Sequence, residues 1–229
     1  WKRFGADKFF PDDAAMLEAV KKWRRASPAI AGGYNHGGVW VDGFWKNIEN
    51  AAKSAVQYPG EAYAVRDVTF QTANNVLYCL LPSGGHLTYH QPELRAGVDA
   101  YERPTVELSY MSWNTNGMKG PVGWIRENTY GGKIVENISQ AVAREFLAHA
   151  MVELEKKGYP IVLHIHDEIV AEVPEGWGAV EELETVMAGL PGWAQGYPRG
   201  HSAETLPDWN PRWPIKATGG WIGQRYRKG

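Results

Sequence analysis

The stretch "KIVENISQAVAREFLAHAMVELEKKGYPIVLHIHDEIVAEVPEG", residues 133–176, changes its hydrophobic period partway along and thereby indicates the fold class. Its first part repeats apolar residues at the spacing of an amphipathic helix. Lys156, Lys157 and Gly158 then supply the basic last turn and the glycine with which helices commonly end. Its second part alternates with the period of β-strands. The sequence therefore predicts a long helix over 133–157, followed by a β-hairpin.

Three adjacent ionisable residues interrupt the apolar second part. Residues 161–165 and 169–173 form the two alternating runs, so we expect His166, Asp167 and Glu168 to occupy the tight turn at the hairpin tip. Adjacent carboxylates that are rigidly held and exposed can share a hard cation such as Mg²⁺. They do not complete a two-metal site, because a second segment must supply further carboxylates. Alternatively, an aspartate is an ordinary turn residue with charged neighbours.

Helices are also predicted in the first quarter of the chain. Pro11, Asp12 and Asp13 are typical of a helix start, and Ser27-Pro28 ends that helix. A second amphipathic helix is expected over 44–60, where Pro59-Gly60 marks its end.

The segment between these two helices is rich in glycine. "GGYNHGGVWVDG", residues 32–43, lacks the Lys-Ser/Thr ending of a phosphate-binding loop and the Gly-x-Gly-x-x-Gly spacing of a dinucleotide fingerprint. We expect a hairpin or a flexible loop there.

From residue 64 to about 124, short β-branched and aromatic runs alternate with turn residues. "NVLYCLLPSGGHLTYH" predicts a hairpin about residues 82–85, and "TVELSYMSWNTNGMKG" predicts a strand that runs into a turn. A short acidic helix is expected near 179–188. Runs of strands beside separate helices predict an α+β fold.

Composition and charge exclude some classes of function but do not identify one. The 229 residues include 24 Lys and Arg against 26 Asp and Glu, for a net charge of −2, so no global basic signal is present. The basic tail, residues 212–229, can contact phosphate or remain a solvated terminus. Cys79 is the single cysteine, which excludes an internal disulfide and favours a reducing cytoplasm. No uncharged apolar run approaches the roughly 18 to 20 residues of a membrane helix.

The motifs "HDEIVAEVPEG" and "GGKIVENISQAVARE" resemble the C-terminal palm region of family A DNA polymerases, the polymerase I type, and especially their bacteriophage members. "RASPAI", "FWKNIENAA", "LPSGG" and "WIGQRYRKG" match the same family in the same order, so the resemblance covers most of residues 14–229. It implies an antiparallel palm-type sheet with a long packed helix and further helices from the fingers side. It also implies two regions, a partial fingers segment over 1–63 and the palm over 64–229.

The resemblance implies a role for each residue of the hairpin tip. Asp167 would be a catalytic ligand of Mg²⁺, of which the complete site holds two ions. Glu168 would be its acidic catalytic partner near the metals, and His166 would approach the primer-terminal backbone. The substrates implied are primed template DNA and deoxynucleoside triphosphates.

The resemblance also implies DNA contacts at the start of the long helix. Gln140 matches a glutamine that contacts the template-primer minor groove, and Asn137 would share that role, although the bacterial enzymes place their asparagine where this chain has Glu136. Minor-groove acceptors of correct base pairs lie in nearly the same places for every sequence, so an amide can test pairing there. Tyr130 and Lys133, in the approach to the helix, would face DNA.

Two earlier motifs of the family are absent from the chain. One resembles Asp-Tyr-Ser-x-Ile-Glu and supplies the other metal-binding aspartate, and the other carries the lysine and tyrosine that hold the nucleotide. Because the chain also begins at Trp1 rather than Met, we expect it to be the C-terminal part of a longer protein, inactive without its N-terminal half or a companion chain. A phage-encoded protein would act in the host cytoplasm.

Two other functions fit the residues. A metal-dependent phosphohydrolase built on the hairpin tip would draw further ligands from His164 or Glu172. A DNA-binding remnant without catalysis would keep the fold and lack the chemistry.

Overall fold

A six-stranded antiparallel sheet and several helices make up the fold of the computed structural model, which describes residues 12–34, 37–98, 104–115 and 120–196. The predicted α+β class is therefore confirmed, whereas the palm-type identity of the sheet stays a prediction. The helices are α1 (Asp13–Ala26), α2 (Pro28–Ala31), α3 (Phe44–Gln57), α4 (Gly131–Lys156) and α5 (Val180–Met187). The strands are β1 (Gly33–Tyr34), β2 (Trp40–Val41), β3 (Ala62–Val65), β4 (Val68–Ala73), β5 (Val76–Leu80), β6 (His86–Val98), β7 (Pro104–Asn114), β8 (Gly123–Thr129), β9 (Ile161–Ile165) and β10 (Glu168–Ala171).

The sheet is a meander in which β3 to β8 pair in chain order. Asn74 and Asn75 form the tight turn between β4 and β5 with φ of 49° and 59°, a left-handed conformation that asparagine tolerates. The turn predicted about residues 82–85 joins β5 to β6, and the Leu81 N–H donates to the Gly85 carbonyl at 2.8 Å. A bulge between His90 and Glu93 shifts the register of β6 against β7.

One face of this sheet carries the core of its unit. Phe70, Leu77 and Leu108 alternate inward along β4, β5 and β7 and are buried. Helix α3 packs against β3, β4, β5 and β6, where its buried Ile48 and Ala52 supply the apolar stripe. The outward phase of the same strands is largely polar or partly exposed, as expected of an antiparallel sheet with one solvated face.

The chain divides into two units, Trp1–Ile138 and Ser139–Gly229. The six-stranded sheet lies in the first unit and the β9–β10 pair in the second, and α4 begins in the first and ends in the second. Strand β3 spans the predicted boundary between residues 63 and 64. The assignment of the two predicted regions to fingers and palm stays a prediction.

Several predicted elements are confirmed. Helix α1 begins after Asp12, whose Oδ1 accepts a hydrogen bond from the Ala15 N–H at 2.7 Å, as an N-cap does. Helix α4 begins two residues before the predicted start at Lys133 and ends one residue before the predicted end. The glycine-rich segment contains the short β1–β2 pair, so the hairpin alternative holds there.

The predicted basic tail, residues 212–229, lies outside the described residues, as does Pro11. Within the ranges that the structure describes, no helix is long and apolar enough to cross a membrane.

Candidate functional site

The β9–β10 hairpin presents its acidic tip to solvent. Ile165 pairs with Glu168, and His166 and Asp167 form the two-residue turn between them. His166 has a φ of 54°, in the left-handed region that tight turns require and that histidine enters more readily than most residues. The side chains of His166, Asp167 and Glu168 are all exposed, so the tip is accessible to a ligand.

One part of the prediction for this tip is wrong. We expected Glu168 within the turn, but it is the first residue of β10 and pairs with Ile165. The loop needs only two residues because His166 adopts a positive φ, which closes the hairpin without a third residue. Successive residues of a strand point to opposite faces, so the direction of Glu168 is fixed by the strand.

The base of the hairpin is fixed to the core of the second unit. Ile169 is fully buried and packs with Ala150 and Leu154 of α4 and with Tyr159 and Leu183. The Glu155 carboxylate accepts a hydrogen bond from the Ile161 N–H at 2.7 Å, which ties the start of β9 to the end of α4. The tip therefore projects from an anchored base.

The connection from α4 to the hairpin is held by a polar network around Tyr159. The Tyr159 hydroxyl donates to Glu182 Oε2 at 2.8 Å and accepts from the Ala179 N–H at 3.1 Å. Lys157 Nζ donates to the other oxygen of the same carboxylate at 3.0 Å. The hydrogen bond from Lys157, followed by that from Tyr159, holds the pKa of Glu182 below its ordinary value. This network joins α4 and α5 within the unit.

On the opposite face of the hairpin, β9 carries exposed apolar side chains beside Glu168. Leu163 and Ile165 of β9 lie on the face away from Ile169, and both are exposed. A two-stranded sheet is barely stable by itself and usually needs a packed face. Here Ile169 is packed, whereas Leu163 and Ile165 are open to solvent.

The tip offers oxygen ligands suited to a hard divalent cation. Asp167 and Glu168 are adjacent, exposed carboxylates, and such oxygens are what Mg²⁺ prefers. Among the residues that the structure describes, no group of three or more His, Cys, Asp or Glu side chains gathers into a metal site. The donor set at this tip therefore fits part of a magnesium site.

In the first unit, the start of α4 is joined to α3. The Gly131 N–H donates to Glu49 Oε2 at 3.2 Å, and Glu49 also pairs with Lys53 and Lys46. Burial raises the pKa of Glu49, but Lys53, the Gly131 N–H and Lys46 outweigh burial and leave the pKa below its ordinary value. A Cβ at residue 131 would overlap the Trp45 carbonyl oxygen, so this close approach of α3 and α4 requires glycine.

Asn137 contacts the sheet of its own unit. Its Nδ2 donates to the hydroxyl of Tyr89 at 3.2 Å, and the Tyr89 ring is buried and meets Tyr110 edge to face at 5.0 Å. Burial raises the pKa of Tyr89 to about 12, so the phenol stays neutral at physiological pH. The amide is therefore oriented by a neutral, rigid hydroxyl.

The other predicted DNA-contacting residues are exposed or partly exposed. Tyr130 is exposed, and its carbonyl accepts the first hydrogen bond of α4 from the Ile134 N–H at 3.0 Å. Lys133 Nζ lies 3.1 Å from Glu136 Oε2 on the next turn. Gln140 is exposed on α4, three residues after Asn137. The structure thus groups Tyr130, Lys133 and Asn137 at the start of α4 in the first unit.

Sequence reasoning missed two supporting residues, Tyr89 and Glu49. The partner of Tyr89 lies 48 positions away along the chain, and Glu49 meets a backbone N–H 82 positions away. Neither contact leaves a periodic signal. One feature of the sequence could have pointed to each residue. Tyr89 lies in the phase of β6 that faces the core, and Glu49 is a carboxylate close to the apolar stripe of α3.

Comparison with known proteins finds a phage relative. The chain is 36% identical over 190 residues to a protein named DNA polymerase from Bacillus phage SP02. The matched region covers 81% of this chain and 26% of the relative, so the chain spans about a quarter of the relative's length. No protein-family profile matches the chain. No solved structure matches it either.

Proposed function

We propose that this chain is the C-terminal palm portion of a template-directed DNA polymerase of family A. The observation that carries the proposal is the exposed tip with Asp167 and Glu168. The chain that presents this tip is similar, over most of its own length, to a phage protein named DNA polymerase. The anchored base of the hairpin supports the proposal, because a carboxylate that binds a catalytic metal must be held in place while substrate and product exchange at that metal.

The chemistry that we propose is phosphoryl transfer. The primer 3′-oxygen loses its proton and bonds to the α-phosphorus of a deoxynucleoside triphosphate, while the bond to pyrophosphate breaks. Two Mg²⁺ ions would stabilise the attacking and leaving oxygens in the complete site. Asp167 is the ligand that this chain would contribute, and Glu168 would add negative charge beside it. His166 would contact the primer-terminal phosphate.

The start of α4 would contact the duplex near the primer end. Asn137 and Gln140 carry amides, which can donate to the minor-groove acceptors that every correct base pair presents. Tyr130 and Lys133, at the start of the same helix, would contact the DNA backbone. The hydrogen bond from Asn137 to Tyr89 supports a preset amide orientation, which a test of pairing geometry needs.

This chain would be inactive alone and would need an N-terminal half or a companion chain. That partner would supply the second metal-binding aspartate and the residues that hold the nucleotide. The exposed apolar face of β9, with Leu163 and Ile165, supports such a partner, because a covering segment would bury it.

A chimera tests the proposal. This chain would replace the matching segment of the DNA polymerase of phage SP02, and primer extension would be measured with Mg²⁺. We expect incorporation that Asp167→Asn lowers at least a hundredfold, because the amide keeps the shape of the carboxylate but loses its charge. Glu175→Gln, an exposed carboxylate in the turn after β10, is the matched control and should change the rate less than twofold.

The same assay separates the other two functions. Hydrolysis of a nucleotide monoester without template, lost in Glu172→Gln or His164→Ala, would favour the phosphohydrolase. A folded chimera that binds primed DNA but incorporates no nucleotide would favour the remnant without catalysis.

A further inference from the structure

A cluster of four cations covers the C-terminal end of helix α1. Lys21, Lys22, Arg24 and Arg25 are all exposed, and residues 19–41 contain no acidic residue. The five positions from Lys21 to Arg25 rise by only about 6 Å along an α-helix, so the four charges lie close together. We call this cluster the basic end of α1.

The basic end of α1 keeps most of its charge. Arg25 pairs with Glu18, but the other three cations form no ion pair with any residue that the structure describes. Asp12 and Asp13 lie at the opposite end of the helix. They precede Lys21 by about 12 Å or more along the axis, which exceeds the screening length in physiological salt. Helix α2 and strand β1, which contact α1, contain no charged residue.

The helix dipole accounts for only part of this cluster. Arg24 and Arg25 lie in the last turn of α1, where cations are stabilised by the negative end of the dipole. Lys21 and Lys22 precede that turn, and neither pairs with a described carboxylate. Because like charges repel, four cations in five positions are costly unless an anion binds to them.

Aromatic rings connect the basic end of α1 to the start of α4. Trp23, which lies among the cations, meets Trp45 of α3 with ring centroids 5.4 Å apart. A Cβ at Gly132 would lie 3.4 Å from the Trp45 ring and 3.0 Å from the Tyr130 ring, so Trp45 also contacts the first turn of α4. All four residues belong to the first unit. The cations of α1 therefore lie close to the exposed Tyr130.

We propose that the basic end of α1 binds the phosphate backbone of a DNA duplex beside the start of α4. This inference rests on the proposed function, in which Tyr130 and Lys133 contact the DNA backbone. Duplex DNA is a dense polyanion, and unpaired lysine and arginine side chains gain affinity by releasing its condensed counterions. An anionic lipid surface also attracts cations, but a basic helix on a membrane buries its apolar face in lipid. Trp23 instead packs against Trp45 within the protein, which favours DNA.

The test is the affinity of the full chain for a labelled DNA duplex of about 20 base pairs, two helical turns, followed by fluorescence anisotropy at several salt concentrations. We expect Lys21→Gln with Arg24→Gln to weaken binding by about tenfold or more. The slope of log affinity against log salt should become shallower by about 1.8, since each phosphate contact contributes about 0.9. Lys156→Gln with Lys157→Gln is the matched control, because it removes the same charge from the C-terminal end of α4, where each lysine pairs with a glutamate. The control should change the affinity less than about twofold.

A gain of affinity provides an independent test if the double variant does not fold, which circular dichroism checks. Glu18→Gln removes the partner of Arg25 and leaves all four cations in place. The affinity should therefore rise about two- to fivefold, and the salt slope should steepen by up to about 0.9. A merely structural role of the cations would give no such gain.

Unchanged affinity and salt slope in both α1 variants would overturn the proposal. So would α1-dependent binding to vesicles of phosphatidylcholine and phosphatidylserine with no change in DNA affinity, because the partner would then be a lipid surface. An active chimera in which the double variant binds duplex normally would contradict this inference alone. An inactive chimera whose duplex binding still depends on Lys21 and Arg24 would support this inference and contradict the proposed catalysis.

Discussion

At the residue scale, the tip of the β9–β10 hairpin depends on one backbone angle. His166 adopts a φ of 54°, and this conformation closes the turn in two residues and leaves Glu168 on a strand. A left-handed conformation costs roughly 1 kcal/mol or more for a residue with a Cβ. The same residue is the one for which we propose a primer contact, so its backbone and side-chain roles can be separated by substitution.

His166→Gly should stabilise the hairpin and weaken primer binding. Glycine removes the penalty of the positive φ, so we expect the free energy of unfolding to rise by up to about 1 kcal/mol. The imidazole is lost, so the affinity of the chimera for primed DNA should fall. Urea denaturation and primer-extension kinetics measure the two effects. A more stable variant with unchanged primer affinity would contradict the role of the side chain.

Tyr89→Phe should release the amide of Asn137. Removal of the hydroxyl leaves the partly buried Nδ2 without its partner, at a cost of about 1 kcal/mol in the free energy of unfolding. If the hydrogen bond is responsible, Tyr89→Phe and Asn137→Ala will not be additive in a double-mutant cycle. Tyr78→Phe, on the other face of the sheet, is the control and should have little effect. Additive losses would show that the two residues act separately.

At the element scale, the sequence predicted the helices and hairpins whose hydrophobic period is regular. Helix α4 and the β9–β10 hairpin follow directly from the change of period at Gly158. The register that brings Trp113 opposite Trp124 was not predictable, because it depends on long-range pairing of β7 with β8. The bulge in β6 was not predictable either, because a local pattern does not reveal it. The two-residue turn at His166 was missed for a similar reason, because the alternation of apolar residues does not show which residue adopts a positive φ.

The junction of α3 with α4 predicts a dependence on pH. The folded state lowers the pKa of Glu49, so its contribution to stability is present above the ordinary carboxyl value of 4.5 and is lost as the pH falls through the folded value. Glu49→Gln should therefore destabilise the chain at neutral pH. As the pH falls below the lowered pKa of Glu49, the unfolding midpoints of the variant and the original chain should converge.

Glu18→Gln, which removes an exposed carboxylate from helix α1, is the control for this comparison. The Glu18 side chain is 61% exposed in its ion pair with Arg25, and an exposed pair of this kind contributes little to stability. The control should therefore leave the midpoint nearly unchanged at both pH values. A deficit in Glu49→Gln that persists unchanged in acid would mean that the Glu49 side chain acts by packing rather than by charge.

At the scale of the whole molecule, the two faces of the β9–β10 hairpin should respond differently to truncation. Ile169 is fully buried, so Ile169→Ala should lower the free energy of unfolding by about 2 to 5 kcal/mol. Leu163 is exposed on the other face, so Leu163→Ala should cost the isolated chain less than about 0.5 kcal/mol. In the chimera, Leu163→Ala should instead weaken the fold or its activity, because we propose that the preceding segment covers this face. Equal, small effects in both proteins would contradict that cover.

The assignment of Asp167 as a ligand of the catalytic metal is the central claim, and a metal switch at residue 167 tests it most directly. Asp167→Cys in the chimera exchanges a carboxylate ligand for a thiolate, which disfavours Mg²⁺ and favours metals later in the first row, such as Co²⁺. Cys79 is buried, and burial raises the pKa of its thiol to about 12, so it does not compete for the metal. We predict that primer extension by this variant is lost in Mg²⁺ and returns in Co²⁺, while the unaltered chimera works in Mg²⁺. Full activity of Asp167→Cys in Mg²⁺ would contradict the claim that this residue binds the catalytic metal.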